Sequence, residues 1–383
     1  MKNWGGVFVF IASALLSFGK AKAESIDPAI EAARVRLGKP LTVMTRNLYV
    51  GADLFQVLEA QRPEQIPLFV ARTFQTIVKN SIHMRVQGFV NEIKDVQPDV
   101  VGLQEVSLIR LQSPGDFLIG NPKSAEIVIY DYLFELLRAM EENELEYDVA
   151  GQITNADIEL PMFVGGDEHG PKLDDVRLTD RDVLLVRRGL QVSEVQAHNF
   201  HTNLKLPIGG VEVAFTRGYV GATVKAKGLN YKVVNVHLEV GGREPFTQIQ
   251  AAQMQELMGA LAQEPLPTIL TGDFNSSPKD GNTQPYHQAK AAGFVDIWDR
   301  AHPFADGFTC CQSPDLENST SQLDSRIDHI FVRNNLNGRL PFSLIGLSRV
   351  NLVGHEPSGK IFGLWPSDHA GVAAYLNLPF VQQ

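Results

Sequence analysis

The chain has 383 residues, is 44% hydrophobic and carries a formal net charge of −10 at pH 7. That apolar share supports a large core and excludes a disordered or low-complexity chain, while the acidic balance argues against broad attraction to a phosphate backbone. No internal repeat and no linker-like block divides the sequence, so we read one large domain over 24–383 with loop insertions.

Lys2, an apolar run from Val7 to Phe18 and then Ala21-Lys22-Ala23 have the make-up of a secretory signal over 1–23. The run is shorter than the roughly 20 residues a bilayer span takes. An N-terminal anchor is the alternative. Cleavage before Glu24 removes Lys2, Lys20 and Lys22 and no acid, so the mature chain is more acidic still. The expectation is a periplasmic or secreted monomer with no stable membrane span.

From Pro40 to Asn47 the chain reads as a strand ending in an asparagine. Residues 52–80 are helix-like and broken by Pro63 and Pro67. Val86, Phe89, Val90 and Ile93 recur at spacings of three and four, which predicts a core-facing helix over 84–96, ended by Pro98. Asp99 to Leu103 is then a buried strand running into Gln104-Glu105, a helix–strand unit of an α/β fold. Residues 125–140 are read as helical, and 147–153 and 183–186 as strands. The Gly165–Pro171 segment between them is read as a solvated loop near the substrate-facing rim.

Residues 219–226 and 231–236 predict a hairpin turning near Gly228. A helix follows over 248–261, then a short strand from Pro267 ending in Gly-Asp273-Phe-Asn275. Residues 285–292 are helix-like, 326–332 form another strand, and 371–376 form a strand directly after Ser-Asp368-His369. The sheets should be mixed, with helices outside them. Cys310 and Cys311 are adjacent and fit no zinc spacing. They either pack in a loop or form a redox or intermolecular bond.

The chemistry lies at the strand ends. Asn47, Glu105, Asp182, His237, Asp273, Asn275, Asp328, Asp368 and His369 each follow or end an apolar run. Carboxylates that converge without a cation repel one another and resist ionisation. Mg²⁺ resolves this, because it prefers oxygen ligands and keeps waters for a substrate to replace; Mn²⁺ or Ca²⁺ would serve the same donors. Singly, each motif reads as a turn, a cap or a buried polar pair. Their joint order after predicted strands points to metal-assisted chemistry on a phosphate.

As a set, these motifs resemble the endonuclease/exonuclease/phosphatase superfamily, which includes DNase I-like nucleases, exonuclease III-like repair enzymes, bacterial sphingomyelinases and inositol-polyphosphate phosphatases. The resemblance runs from about residue 40 to 378 and rests on Thr-Arg-Asn47, Gln-Glu105, Asp180-Arg181-Asp182, Asn235-Val-His237-Leu, Gly-Asp273-Phe-Asn275, Arg-Ile-Asp328-His and Ser-Asp368-His369. It implies a DNase I-like four-layer α-β-β-α sandwich with two mixed, mainly antiparallel sheets. Glu105, helped by Asn47 and Asp368, is implied as the metal site. Asp273 would position or deprotonate water, and Asn275 would hold a phosphate oxygen. His369, oriented by Asp328, would contact the phosphate, and His237 would stabilise the other oxygens or assist the leaving group. Asn235, Asp182 and Arg181 are candidate substrate contacts, with Asp180 competing with Asp182.

The histidine in Asn-Val-His-Leu is more like the DNase I, sphingomyelinase and inositol-phosphatase branches than the repair nucleases. The insertion at 52–80 is either a substrate-selecting lid or a helix pair on the outer layer. The reaction class is phosphodiester hydrolysis, with a nuclease reading slightly ahead of a lipid phosphodiesterase; a phosphomonoesterase on inositol phosphates or nucleotides is a further alternative, and a non-catalytic binding subunit the last. A nuclease needs basic groups along a groove, for which Arg177, Arg181, Arg187 and Arg188 are the candidates. A lipid hydrolase needs exposed aromatics, for which Phe246, Phe304, Phe308, Phe362 and Trp365 are the candidates.

Overall fold

The computed structural model describes residues 41–377 apart from 120–122, 209–210, 227, 282 and 335–347. The expected signal segment 1–23 lies outside the described residues. In chain order the elements are β1 (Leu41–Asn47), α1 (Ile66–Lys79), α2 (Ile82–Val96), β2 (Val100–Gln104), β3 (Leu108–Gln112), β4 (Ile127–Asp131), α3 (Tyr132–Glu142), β5 (Tyr147–Asp167), β6 (Gly170–Arg187), β7 (Gln191–Asn199), β8 (Leu204–Ile208) and β9 (Val211–Phe215). They continue with β10 (Gly218–Ala226), β11 (Leu229–His237), α4 (Phe246–Ala260), β12 (Thr268–Asp273), α5 (Pro285–Ala291), β13 (Val295–Asp296), α6 (Ile297–Ala301), β14 (Asp328–Arg333), β15 (Arg349–Val353) and β16 (Gly371–Leu376).

Two large sheets face each other. One has the order β15-β16-β1-β2-β6-β3-β4 with β5 paired to β6, and the other β13-β14-β12-β11-β10-β7. Each contains one parallel pair, β1 with β2 and β11 with β12, and the remaining pairs are antiparallel. Parallel neighbours need a crossover, and helices supply it: α1 and α2 between β1 and β2, α4 between β11 and β12. The architecture is the expected mixed α/β sandwich.

Strand alternation sorts the side chains into layers. Val43, Val100, Leu184, Val233 and Ile269 point between the sheets. Their neighbours Met44, Val101 and Leu185 point outward onto Val86, Phe89, Ile93 and Leu136 of α2 and α3. On the opposite outer face Val234, Leu270 and Phe331 meet Met254 and Leu257 of α4. Gly102 lets the sheets approach at the centre. A Cβ there would lie 2.5 Å from Thr271 Oγ1 and 2.6 Å from Asn235 Oδ1.

Local signals set the helix ends. The Ser81 side chain accepts from His83 N to start α2, and Gln97 closes it at a positive φ of 51°, directly before Pro98. Asp131 accepts from Leu133 N and Phe134 N to start α3. That cap confines the helix expected over 125–140 to Tyr132–Glu142, because residues 127–131 pair as a strand with β3.

The two short strands expected at 147–153 and 183–186 belong to one long hairpin, 21 residues of β5 against 18 of β6, with three register shifts. Its outer half, where β6 pairs with β3, packs on α1 and the small β8–β9 hairpin through Met162, Leu160, Val70, Val213 and Phe215. Gly165–Pro171 is the tip of this hairpin, with the Gly-Gly-Asp-Glu stretch largely exposed and Asp167 paired to Lys172 at 2.9 Å. It does not line the catalytic pocket described below. Among the described residues no helix is long and apolar enough to cross a membrane.

Candidate active site

Register brings the polar strand ends to one edge of both sheets. In the second sheet His237 pairs with Asp273 across the parallel β11–β12 ladder, and Asp273 pairs with Asp328 across the antiparallel β12–β14 ladder. Three adjacent strands therefore end on one row. In the first sheet Asn47 pairs with Gln104, so Glu105 leaves the strand end beside it. β16 runs antiparallel to β1, which puts Asp368 and His369, just before its first residue, beyond the Asn47 end. Gly272 permits the tight pairing at Asp273: its φ is +149°, and a Cβ there would lie 1.9 Å from the Val236 carbonyl oxygen.

These ends open into a pocket of about 410 Å³. Asp273 lines its wall. Its Oδ1 accepts from Asn275 N at 2.9 Å, and its Oδ2 lies 3.2 Å from Asn47 Nδ2, 3.7 Å from His237 Nε2 and 3.8 Å from His369 Nε2. Burial and then the Asp328 charge push its carboxyl up from the usual range, against the pull of both imidazoles. His369 Nδ1 is bonded to Asp328 Oδ2 at 2.8 Å. Burial would lower that imidazole, but Asp328, Asp368 and Asp273 outweigh it and raise it well above its ordinary value. His369 Nε2 is left facing the pocket.

Glu105 is fixed by Asn47 Nδ2 at 2.9 Å and by Val50 N at 2.8 Å. Asn47 Oδ1 is occupied by Tyr49 N at 2.8 Å, which sets the amide's orientation. Asn47, expected as a metal ligand, turns its N–H groups to Glu105 and Asp273 and orients both carboxylates, while its oxygen accepts from Tyr49 N. Asn275 Nδ2 donates to Leu238 O at 3.0 Å, which fixes the side chain at the pocket wall.

Three expected substrate contacts are placed elsewhere. Arg181 and Asp182 are neighbours on β6, so they point to opposite faces. Arg181 donates to Val106 O at 2.9 Å and Asp131 at 2.5 Å and does not line the pocket. Asp182 is fully buried, accepts from Asn155 at 2.8 Å and lies 3.8 Å from His237 Nδ1, so it sits behind the imidazole. Asn235 is a buried strut between the sheets. It donates to Leu103 O at 2.8 Å and Val183 O at 3.2 Å and accepts from Gln104 at 2.6 Å.

Sequence reading missed Arg217 and ranked Asp180 second, yet both line the pocket. Arg217 NH1 is 3.0 Å from His237 Nδ1 and 3.7 Å from Asp180 Oδ2. Burial, then Asp182, push Asp180 up to about 7. The available signal for Arg217 was its position directly before β10, whose first residue, Gly218, pairs with His237. Arg46 was quoted only as a motif neighbour. It is buried against Glu92 on α2 at 2.8 Å and also donates to the His369 carbonyl, so it ties β1, α2 and the Ser-Asp-His segment together. Cys310 and Cys311, adjacent in the sequence, both line the pocket.

The donor set suits a divalent cation. Glu105 and Asp368 share the pocket, and burial followed by the Glu105 charge holds Asp368 up to about 7 despite His369. Two more groups, Asp273/Asp328/His369 and Asp180/Asp182/His237, gather ligand atoms within 4.8 Å of one another. Asp182 Oδ1 and Asp328 Oδ1 are buried without a hydrogen-bond partner. Oxygen donors with surplus negative charge are the hard, charge-rich surroundings that a cation such as Mg²⁺ takes.

A two-sheet sandwich whose strand ends carry carboxylates, an Asp–His pair and a second imidazole defines a metal-dependent hydrolase of phosphate esters. The chain belongs to the endonuclease/exonuclease/phosphatase family, whose model matches residues 81–369. Members of that family depend on a divalent metal. Among solved structures it is similar to an endonuclease/exonuclease/phosphatase family protein from Leptotrichia buccalis, at 16% identity over 88% of this chain and 99% of that one, with a TM-score of 0.51. It also matches D. rerio TDP2 complexed with single-strand DNA product (15% identity, 88% and 98% covered, TM-score 0.46) and a mannosyl-6-phosphatase from Bacteroides thetaiotaomicron (17%, 88% and 99%, 0.46). No curated protein matches the chain.

Proposed function

We propose that this chain is an exported, monomeric, Mg²⁺-dependent phosphodiester hydrolase acting on a small or amphiphilic diester. The observation that carries the reaction is Asp273 between two imidazoles, one of them held by Asp328. Export rests on the signal-like residues 1–23.

Asp273 Oδ2 is free of backbone bonds, so it orients a water and takes its proton as the new P–O bond forms. The raised Asp273 carboxyl brings its basicity toward neutral pH, where a general base works best. His369, kept cationic by Asp328, pairs with a phosphoryl oxygen as charge builds there. Burial and the Arg217 charge would lower the His237 imidazole, but Asp182 and Asp273, between which it lies, raise it above the ordinary value, so it offers a proton to the departing side. Glu105 and Asp368 would hold the cation, which supplies charge neutralisation at the phosphoryl oxygens.

A nucleic-acid substrate loses its main support. Arg177 pairs with Asp157, Arg181 with Asp131, Arg187 with Asp99 and Arg188 with Asp148 and Glu146, so each arginine expected to line a groove has a carboxylate partner. The net charge of −10 acts in the same direction. Of the aromatics expected at a lipid surface, Phe304 and Phe362 are exposed, whereas Phe246 and Trp365 are buried.

The test is turnover of methyl p-nitrophenyl phosphate, plasmid DNA, RNA, sphingomyelin and inositol phosphates with Mg²⁺ and with EDTA. Diester hydrolysis abolished by EDTA, with DNA and RNA left intact, is expected. Asp273→Asn should lower kcat by about 10²–10⁴ without unfolding the chain. Turnover that survives EDTA, or near-normal turnover by the variant, refutes the reading.

A further inference from the structure

The insertion carrying Leu54 and α1 closes over the outer half of the β5–β6 hairpin and leaves a cavity of about 90 Å³ between them. Its wall is apolar, with Leu58, Val70, Phe74, Leu160 and Val176 among the lining residues. One lining group is polar. Thr73 is 5% exposed, and its hydroxyl has no hydrogen-bond partner. Leu54, Ile158, Leu178 and Phe215 line both this cavity and the catalytic pocket, so the two spaces adjoin through these apolar side chains.

An apolar recess beside a cluster of carboxylates gives nothing to a sugar, a nucleotide or inorganic phosphate, whose polar groups would be desolvated there without partners. It stabilises hydrocarbon. A benzene ring occupies an engineered cavity of about 150 Å³, so this recess suits a slim, flexible chain better than a ring. The Thr73 hydroxyl offers a donor to an ester or ether oxygen in such a chain.

We infer that the cavity receives the hydrocarbon chain of an amphiphilic phosphodiester while the diester lies over Asp273 and His369, an inference that rests on the phosphodiesterase reading above. The insertion then acts as the element that selects the substrate by its apolar part. Its 3-10 turn Leu54–Glu59 contributes residues to both spaces.

The test is kcat/KM for p-nitrophenyl phosphodiesters of methanol, butanol, hexanol and octanol, with Mg²⁺ and below micelle-forming concentrations. The value should rise about fourfold for each methylene that enters the cavity and then level off. Val57 lines the apolar cavity and not the catalytic pocket. Val57→Phe fills the cavity and should flatten the series, with Val57→Ile giving an intermediate slope and thermal melting confirming that both fold. A flat series in the wild-type chain, or an equally steep one in Val57→Phe, overturns the inference while leaving the phosphodiesterase reading standing. No turnover of any member, the methyl ester included, overturns that reading and the inference with it.

Discussion

At the scale of the residue, the site depends on backbone positions that few side chains tolerate. Tyr49, Glu105 and Asn275 line the pocket with φ of 59°, 56° and 48°, in the left-handed region that costs a residue with a Cβ of order 1–3 kcal/mol where nothing offsets it. Their bonds over-determine them: Glu105 is held by Asn47 and Val50, and Asn275 by Asp273 and Leu238. Gly272 shows the same demand more sharply. Gly272→Ala drives a Cβ into the Val236 carbonyl, so β12 must shift against β11 and Asp273 must leave His237. We expect a loss of about 1–3 kcal/mol in urea unfolding together with a large fall in kcat. Unchanged activity in a folded Gly272→Ala variant would remove this account.

His329 is a different case at the same scale. It follows Asp328 in the motif but points away, bonding through Nε2 to Ser276 O at 2.9 Å among Phe274, Tyr286 and Phe331. Burial lowers its pKa to about 4, against an unfolded value near 6.5. Below pH ~6.5 the unfolded chain therefore takes up a proton that the folded chain refuses. Its contribution to stability is present above that pH and is lost as the pH falls toward 4, by roughly 3 kcal/mol. His329→Gln should flatten the acid limb of a stability–pH curve measured by urea unfolding; an unaltered slope contradicts it.

At the scale of the element, the Arg46–Glu92 pair joins β1 to α2 in a setting where both side chains are buried. Removing one partner strands the other charge and costs about 3–5 kcal/mol, whereas replacing both with apolar groups of similar size is often neutral. Arg46→Met should therefore destabilise strongly, and Arg46→Met with Glu92→Leu should recover most of the loss. Activity should not recover with stability, because the His369 carbonyl still lacks the Arg46 donor. A double variant that regains full kcat shows that Arg46 does not position His369.

At the scale of the whole molecule, a cation that binds only the folded chain must stabilise it. At Mg²⁺ one hundred times its dissociation constant the gain is about 2.7 kcal/mol. A rise in melting temperature with Mg²⁺, lost in a Glu105→Gln/Asp368→Asn double variant, is the expected result. An equal rise in both chains places the cation elsewhere.

The sequence by itself determined the layers and which polar groups stand at the strand ends. Alternation in Val43-Met44 and Val100-Val101 fixes which side chain faces which layer, because successive strand residues point oppositely. Asp, Asn, Glu or His at either end of such a strand is carried to a sheet edge, which is why Glu105, Asp273, Asp328 and His369 were legible. Tertiary structure decided the rest. Whether Asp180, Arg181 or Asp182 faces the pocket is a matter of register on β6, and a one-residue change reverses it. Asn235 and Asn47 became struts only because the opposing sheet and the Tyr49 backbone claimed their amide groups. Arg217 joined the site through an antiparallel pairing between β10 and β11. The insertion met the far half of a hairpin more than eighty residues away in sequence. Those partners are distant along the chain and are selected by packing, which no local pattern encodes.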